Sequence, residues 1–191
     1  YGIDARGTSQ PTISNNSFSN TGSVPVALSL SADPTFSGNT VANVGLTAIG
    51  YHGETISAPS IIRNRDFAGY TGITTVLLGG STITSGTTLT IEPGTVLKVA
   101  NQSGGIVLRI EGTLVSDGNE NNKIYLTSIF DDQVGNPLDT NGDGGSTTPN
   151  PNNWGTVRFM PTSDDLNSIV DNTEIRYSKH GLIFTNAAPT V

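Results

Sequence analysis

The segment Asp139-Thr-Asn-Gly-Asp-Gly144 places side-chain oxygens at positions 139, 141 and 143, followed by a glycine that can turn tightly. Oxygens at alternate positions of a short loop suit a hard cation, and this is how the loop of a helix–loop–helix calcium site begins. The match stops there. Position 150, where a bidentate glutamate would complete the shell, is Asn150, and no helical pattern flanks the loop. The missing oxygens are expected from Asp131, Asp132 or backbone carbonyls. Asp131, Asp132, Asp139, Asn141 and Asp143 therefore form the candidate metal set, with Ca²⁺ as a structural ion. A hydrated, turn-rich insertion is the other reading of the same residues. The loop continues through Gly145-Ser-Thr-Thr-Pro-Asn-Pro-Asn-Asn153, an irregular stretch whose ordering entropy an ion would offset. Loss of the ion is expected to loosen this loop first, with a modest effect on the body that carries it.

Other residues offer weaker chemistry. Glu92 and Glu111 follow similar Ile-Glu phrases and could stack one coil apart as paired carboxylates, with Lys98, Arg109, Arg158 and Arg176 on one outer face. Glutamates at turns and charges alternating along a solvated strand explain them better. His52 and His180 have no Ser-His-Asp order or metal-ligand spacing around them and are expected at the surface or in turns. Trp154 opens a strand after a Pro/Asn-rich loop, so packing at an edge is favoured over a sugar-stacking platform. The Thr-x-Thr patterns at Thr82, Thr84, Thr88 and Thr90 do not recur at coil spacing, which ranks ice binding last. No cysteine is present, so thiol chemistry and disulfides are excluded.

These residues need a scaffold, and composition narrows it. The 191 residues suffice for one good core. Only 13% are charged, while 23 glycines and 10 prolines demand frequent turns, which favours short strands and excludes a disordered polyelectrolyte. A net charge of −7 with nine scattered Lys and Arg argues against nucleic acid and leaves cations or neutral glycans as partners. No apolar run is long enough to cross a membrane, and no signal segment opens the chain. Export, if it occurs, is expected to depend on a signal outside this fragment.

The chain repeats itself. Pro11-Thr-Ile13 aligns with Pro34-Thr-Phe36, and the same step of 23 residues pairs Asn16 with Asn39, Phe18 with Val41, Asn20 with Asn43 and Gly22 with Gly45. Alternation such as Ile13, Asn15, Ser17 is strand patterning, with Asn and Gly at corners. Stacked coils would align Asn16 and Asn39 as a side-chain ladder or as left-handed turn residues. Ile91-Glu92 and Ile110-Glu111 suggest a shorter coil of 19 residues, and phrases from Thr88 to Tyr177 suggest five further coils. A longer echo links Gly181-Leu-Ile and Pro189-Thr-Val191 to Gly2-Ile3 and Pro11-Thr-Ile13, at offsets of 179 and 178. This is the mark of a tandem unit.

The phrases Leu89-Thr-Ile-Glu-Pro-Gly-Thr-Val96, Ile110-Glu-Gly-Thr-Leu-Val-Ser-Asp-Gly118, Ile124-Tyr-Leu-Thr-Ser128 and Asn153-Trp-Gly-Thr-Val-Arg-Phe159 resemble right-handed parallel β-helix domains of large modular secreted and cell-surface bacterial proteins. The resemblance implies an all-β, right-handed parallel β-helix (β-solenoid) with coils of about 19–23 residues and an inserted acidic loop. In that family, phrases like Leu-Thr-Ile-Glu-Pro-Gly open a new helix, so residues 1–50 are expected as the last coils of one unit and 51–84 as a connector or cap. Residues 85–191 are then the next unit, with the loop insertion at 131–153. The expected role is an extracellular or cell-surface structural module, a stiff stalk or filament-forming tandem repeat with adhesion as a further use. Its partners are head-to-tail or tandem copies of itself and cell-surface glycans, with no nucleic acid and no membrane insertion. No enzyme activity is expected; a polysaccharide-binding or polysaccharide-lyase-like module is the alternative.

Overall fold

The structure, a computed structural model, describes residues 1–100 and 102–191. Among them no helix occurs, and every ladder between strands is parallel. The first coil carries β1 (Ile3–Ala5), β2 (Thr12–Ser14) and β3 (Ser17–Ser19), and the second β4 (Val26–Leu28), β5 (Thr35–Ser37) and β6 (Thr40–Ala42). The third has β7 (Ile49–Tyr51), β8 (Thr55–Ile56) and β9 (Ser60–Ile62), and the fourth β10 (Thr75–Leu77), β11 (Ser81–Ile83) and β12 (Thr88–Ile91). The fifth follows with β13 (Val96–Val99), β14 (Gln102–Ile110) and β15 (Thr113–Asp117). The sixth contains β16 (Ile124–Ser128), β17 (Trp154–Phe159) and β18 (Ile169–Asp171), and the seventh β19 (Thr173–Ile175) and β20 (Ser178–Phe184).

One seven-stranded sheet, β1-β4-β7-β10-β13-β16-β19, runs the length of the molecule. A second sheet stacks β8-β11-β14-β17-β20 and a third β9-β12-β15-β18, while the first two coils close through the pairs β2–β5 and β3–β6. The chain is a parallel β-solenoid of about seven turns, as its alternation and corner residues imply. Ile3 pairs with Val26 and Val26 with Ile49, which is the 23-residue step of the sequence. Later steps differ. Ile49 pairs with Thr75, Thr75 with Leu97, Val96 with Tyr125 and Ile124 with Thr173, the last spanning the inserted loop.

The 19-residue coil does not exist. Ile91 pairs with Ile62 and Ser116 in the third sheet, whereas Ile110 pairs with Ile83 and Phe159 in the second. The two Ile-Glu phrases end strands on different faces of the solenoid. The phrases expected as five coils likewise supply strands to four coils, the fourth to the seventh. Through residues 51–84 the long sheet is uninterrupted, since β10 pairs with β7 on one side and β13 on the other. What changes there is the cross-section: residues 63–72 form a loop closed by a Phe67–Tyr70 bridge. Its buried Phe67 packs on Phe36 with ring centroids 5.0 Å apart and on Phe18 at 5.9 Å, covering the end of the two opening coils.

Alternation sorts the long sheet into inner and outer rows. Val26, Ile49, Leu97 and Leu126 form one inner row and Leu28, Tyr51, Leu77 and Val99 another, all buried. Thr75 enters the first row and satisfies its hydroxyl by donating to the Val96 carbonyl at 3.1 Å. Aligned apolar side chains thus fill a dry interior without long-range strand pairing. At one corner Asn39 is buried: its Nδ2 donates to Ile13 O at 2.7 Å, and its Oδ1 accepts from Asn16 N at 3.0 Å and Asn16 Nδ2 at 3.2 Å. This is a ladder contact, while the left-handed turn positions are the neighbours Asn15, Gly38, Asn20 and Asn43. Asn39→Ala leaves a buried carbonyl and amide unpaired and is expected to cost about 2 kcal/mol, read as a lower urea midpoint.

A charged ladder ties the second, third and fourth coils. Arg63 bridges Asp33 at 2.8 Å and Glu92 at 2.8 Å, and Arg65 adds a 3.0 Å contact to Asp33. Arg63 beside it holds the Asp33 carboxyl below its ordinary 3.8, against partial desolvation and with help from Arg65. A carboxyl with a depressed folded pKa contributes stability that is present above its unfolded pKa and lost as pH falls through the folded one. Below about pH 4 the parent protein is therefore expected to lose more of its urea resistance than Asp33→Asn does.

Candidate functional site

The inserted loop begins by doubling back over the outer face of the long sheet. The outer row there is Ala27, Gly50, Val76, Lys98 and Thr127, small or apolar except at Lys98 and Thr127. Ala27 and Val76 join Val24, Ala48 and Ile129 in a second apolar cluster outside the solenoid. Gly50 is required in it, because a β-carbon would lie 2.7 Å from Leu78 and 2.8 Å from Val24 side-chain atoms. Ile129 comes from the loop, so this outer surface is a second small core that the loop closes.

Polar contacts fasten the loop along the axis. Thr127 Oγ1 donates to Asp131 Oδ2 at 2.7 Å, and Lys98 Nζ donates to the carbonyls of Asp131 at 2.7 Å and Leu138 at 2.9 Å. Thr74 N donates to Asn136 O at 3.0 Å while Asn136 N donates to Thr74 Oγ1 at 2.8 Å, and Thr47 N donates to Thr140 O at 2.8 Å. Thr47 leads into β7 and Thr74 into β10, while Lys98 lies in β13 and Thr127 in β16. Residues 127–140 are therefore a strap across four successive coils. The expectation that the loop matters little to the body does not fit this geometry.

Lys98 is the centre of the strap. It points outward from its strand, as alternation requires, yet is fully buried, not solvated on an outer face as expected from sequence. Burial pushes its ammonium down to about 8, although Asp132, Asp131 and Asp139 act in the opposite direction. Gly135 makes room for it, since a β-carbon there would lie 2.5 Å from Thr74 Oγ1 and 3.2 Å from Lys98 Cε. Lys98 is the functional residue that sequence reasoning placed wrongly. The one available signal was the apolar company of its row.

Beyond the strap, three of the five candidate ligands converge. Asp132, Asp139 and Asp143 each offer a carboxylate oxygen within 4.8 Å of the others. Two oxygens on one calcium ion, each at about 2.4 Å, are separated by no more than about 5 Å, so the spacing suits that ion. Asp132 Oδ1 and Asn141 Oδ1 are buried with no hydrogen-bond donor among the described residues. Desolvation, with Asp139 and Asp143 nearby, raises the Asp132 carboxyl above its ordinary range despite Lys98. Uncompensated oxygens and mutually repelling carboxylates fit a divalent cation with oxygen ligands.

The loop backbone competes for some of these oxygens. Asp139 accepts from Asp143 N at 3.1 Å and Gly144 N at 2.9 Å. Asp143 accepts from Gly145 N at 2.8 Å, Ser146 N at 2.9 Å and Thr147 N at 3.1 Å, and also from the Thr147 hydroxyl, which holds its carboxyl below the usual range. Asn141 Nδ2 donates to Asp143 Oδ2 at 3.0 Å, leaving its Oδ1 for another partner. Asp131 faces elsewhere: fully buried, it accepts from Thr127 and from Gln133 N at 3.1 Å, and Arg176 lies 3.5 Å from it. It organises the strap and is not part of the convergent cluster.

The remaining candidates resolve into structural roles. Glu92 binds Arg63 and accepts from Asn64 N at 3.1 Å, while Glu111 binds Arg109 at 2.7 Å. Each thus has its own cation at a different corner. His52, expected at the surface, is buried, and its Nε2 lies 2.8 Å from Asp4 Oδ1. Trp154 is buried and donates from Nε1 to Arg176 O at 2.6 Å. His180 is exposed.

Comparison with family models, curated proteins and solved structures gave no match to this chain. The class rests on the fold: a parallel β-solenoid bearing an inserted acidic loop on one face.

Proposed function

We propose that the chain is an extracellular structural segment, a stiff stalk or filament-forming tandem unit of the kind its sequence resembles in secreted and cell-surface bacterial proteins. The observation that carries this reading is the seven-stranded sheet running uninterrupted along the molecule, with a strap hydrogen-bonded across four of its coils. A parallel stack transmits load through aligned ladders, and the strap adds polar contacts on the axis. Within this reading Asp132, Asp139, Asp143 and Asn141 hold a structural Ca²⁺ that neutralises the outer loop.

Electron microscopy of the protein, with calcium and after chelation, tests the role together with diffraction from oriented material. The expected result is rods with a meridional reflection near ~4.8 Å, the coil spacing. Compact particles without that reflection in both conditions would count against a structural rod. Calorimetric titration tests the ion separately: calcium binding is expected in the parent and is expected to weaken at least tenfold in Asp132→Asn, which removes a charge and leaves the strap contacts intact. Equal affinity in the two proteins would remove Ca²⁺ from this site.

A further inference from the structure

The two ends of the solenoid differ. At the first coil the inward residues Ala5, Ile13 and Phe18 are already buried. Phe18 closes that end, its ring lying so near Gly2 that a β-carbon there would stand 2.5 Å from it. At the seventh coil the inward residues remain open: Ile175 and Leu182 are half-buried, Phe184 is 42% exposed and Val191 69% exposed. The residues one coil below them, Leu126, Val157 and Phe159, are buried, so a further coil is what closes such a face. An open concavity lined by Val170, Ile175, Leu182 and Val191 marks the surface.

The sequence of this end says what fits it. Gly181-Leu-Ile and Pro189-Thr-Val191 repeat Gly2-Ile3 and Pro11-Thr-Ile13. The strand phase repeats too: Leu182 and Phe184 pair with the buried Val157 and Phe159 and so point inward, as Ile3 and Ala5 do in the first coil. Thr190 bridges Ile169 of β18, one strand further round, as Thr12 follows β1 in β2. In the first coil this phrase is covered by the second coil, with Ile3 under Val26 and Thr12 under Thr35.

We infer that the open C-terminal end docks a second copy of this chain by exchange: residues 181–191 of one copy take the place of residues 2–13 of the next, beneath its second coil. This rests on the structural-rod reading and specifies its joint. The second sheet of one copy continues as the long sheet of the next, and the third sheet continues through Thr190 into the strand pair that holds Thr12 and Thr35. Exchange reuses contacts the chain already makes, which is why such swaps form readily. Each copy then adds six coils to a continuous stack, about 29 Å of axial repeat, where simple end-to-end docking of seven coils would add about 34 Å.

The absence of cysteine makes the joint directly testable. Thr12, Thr35 and Thr190 are exposed, so cysteine at these positions leaves the core intact. A Thr190→Cys preparation is mixed with Thr35→Cys, unfolded and refolded together, and oxidised; a parallel mixture uses Thr12→Cys in place of Thr35→Cys. The expected result is a disulfide-linked dimer in the first mixture, at least fivefold more abundant than in the second. Preferential linkage to Thr12→Cys would show end-to-end docking without exchange and overturn the proposal, as would linkage in neither mixture. Folding is confirmed by circular dichroism in every case. Rod diffraction from the parent protein is read independently, so a missing joint is distinguishable from a missing rod.

Discussion

Lys98→Met is expected to lower the thermal midpoint by roughly 10 °C, a loss of about 3 kcal/mol. Methionine keeps the length and most of the volume of the side chain, so the change isolates the ammonium. Two buried carbonyls, Asp131 O and Leu138 O, lose their donor. The nearby carboxylates of Asp131, Asp132 and Asp139 lose a compensating cation at the same time. Breaking one side of a buried charged contact is expensive because the other side remains desolvated. The same substitution is expected to tighten calcium binding, since it removes a positive charge beside the carboxylate cluster. Thermal melts with and without calcium check both parts: the variant is expected to regain more stability from the ion than the parent does. An unchanged midpoint would mean that Lys98 does not anchor the strap.

Gly155→Ala is expected to cost about 3 kcal/mol or more, for a different reason. A β-carbon at this position would lie 1.6 Å from Gly105 O and 2.6 Å from Gly105 C. The obstacle is backbone of the neighbouring strand, which no rotamer change can relieve. It falls where the β14–β17 register shifts, between Gln102 and Leu108. Relief would require the second sheet to separate at its fifth and sixth coils. Urea unfolding of the variant reads the loss, and Gly142→Ala in the loop, where the glycine has no neighbouring atom within 4 Å but a φ of 66°, serves as a milder comparison.

Much of the fold was legible because the first two coils repeat at a constant step. Pro11-Thr-Ile13 and Pro34-Thr-Phe36 pair in the register that their alignment predicts. Further along, legibility fails for a physical reason. A coil has several strands, each with the same inward–outward alternation and the same turn residues, so similar phrases do not reveal which face they occupy. Ile91-Glu92 and Ile110-Glu111 were placed one above the other on that basis and lie on different sheets.

The site was legible in the same uneven way. Alternating oxygens at 139, 141 and 143 are a local pattern, and Asp139 and Asp143 do converge, joined by Asp132. Lys98 and Asp131 are governed by packing that sequence distance hides. A lysine in an alternating strand reads as solvated unless the segment that covers it is known. Here that segment lies 33 to 40 residues downstream. Asp131 reads as one of an acidic pair, yet its burial against Thr127 and Arg176 makes it an internal acceptor.

The central claim is that the strap joins four coils of the solenoid into one unit that opens together. Hydrogen exchange followed by mass spectrometry, comparing the parent protein with Lys98→Met, tests this most directly. The account predicts that amides in β7, β10, β13 and β16 exchange at one slow common rate in the parent and accelerate together in the variant. Acceleration confined to residues 131–153, with those four strands unchanged, would contradict it.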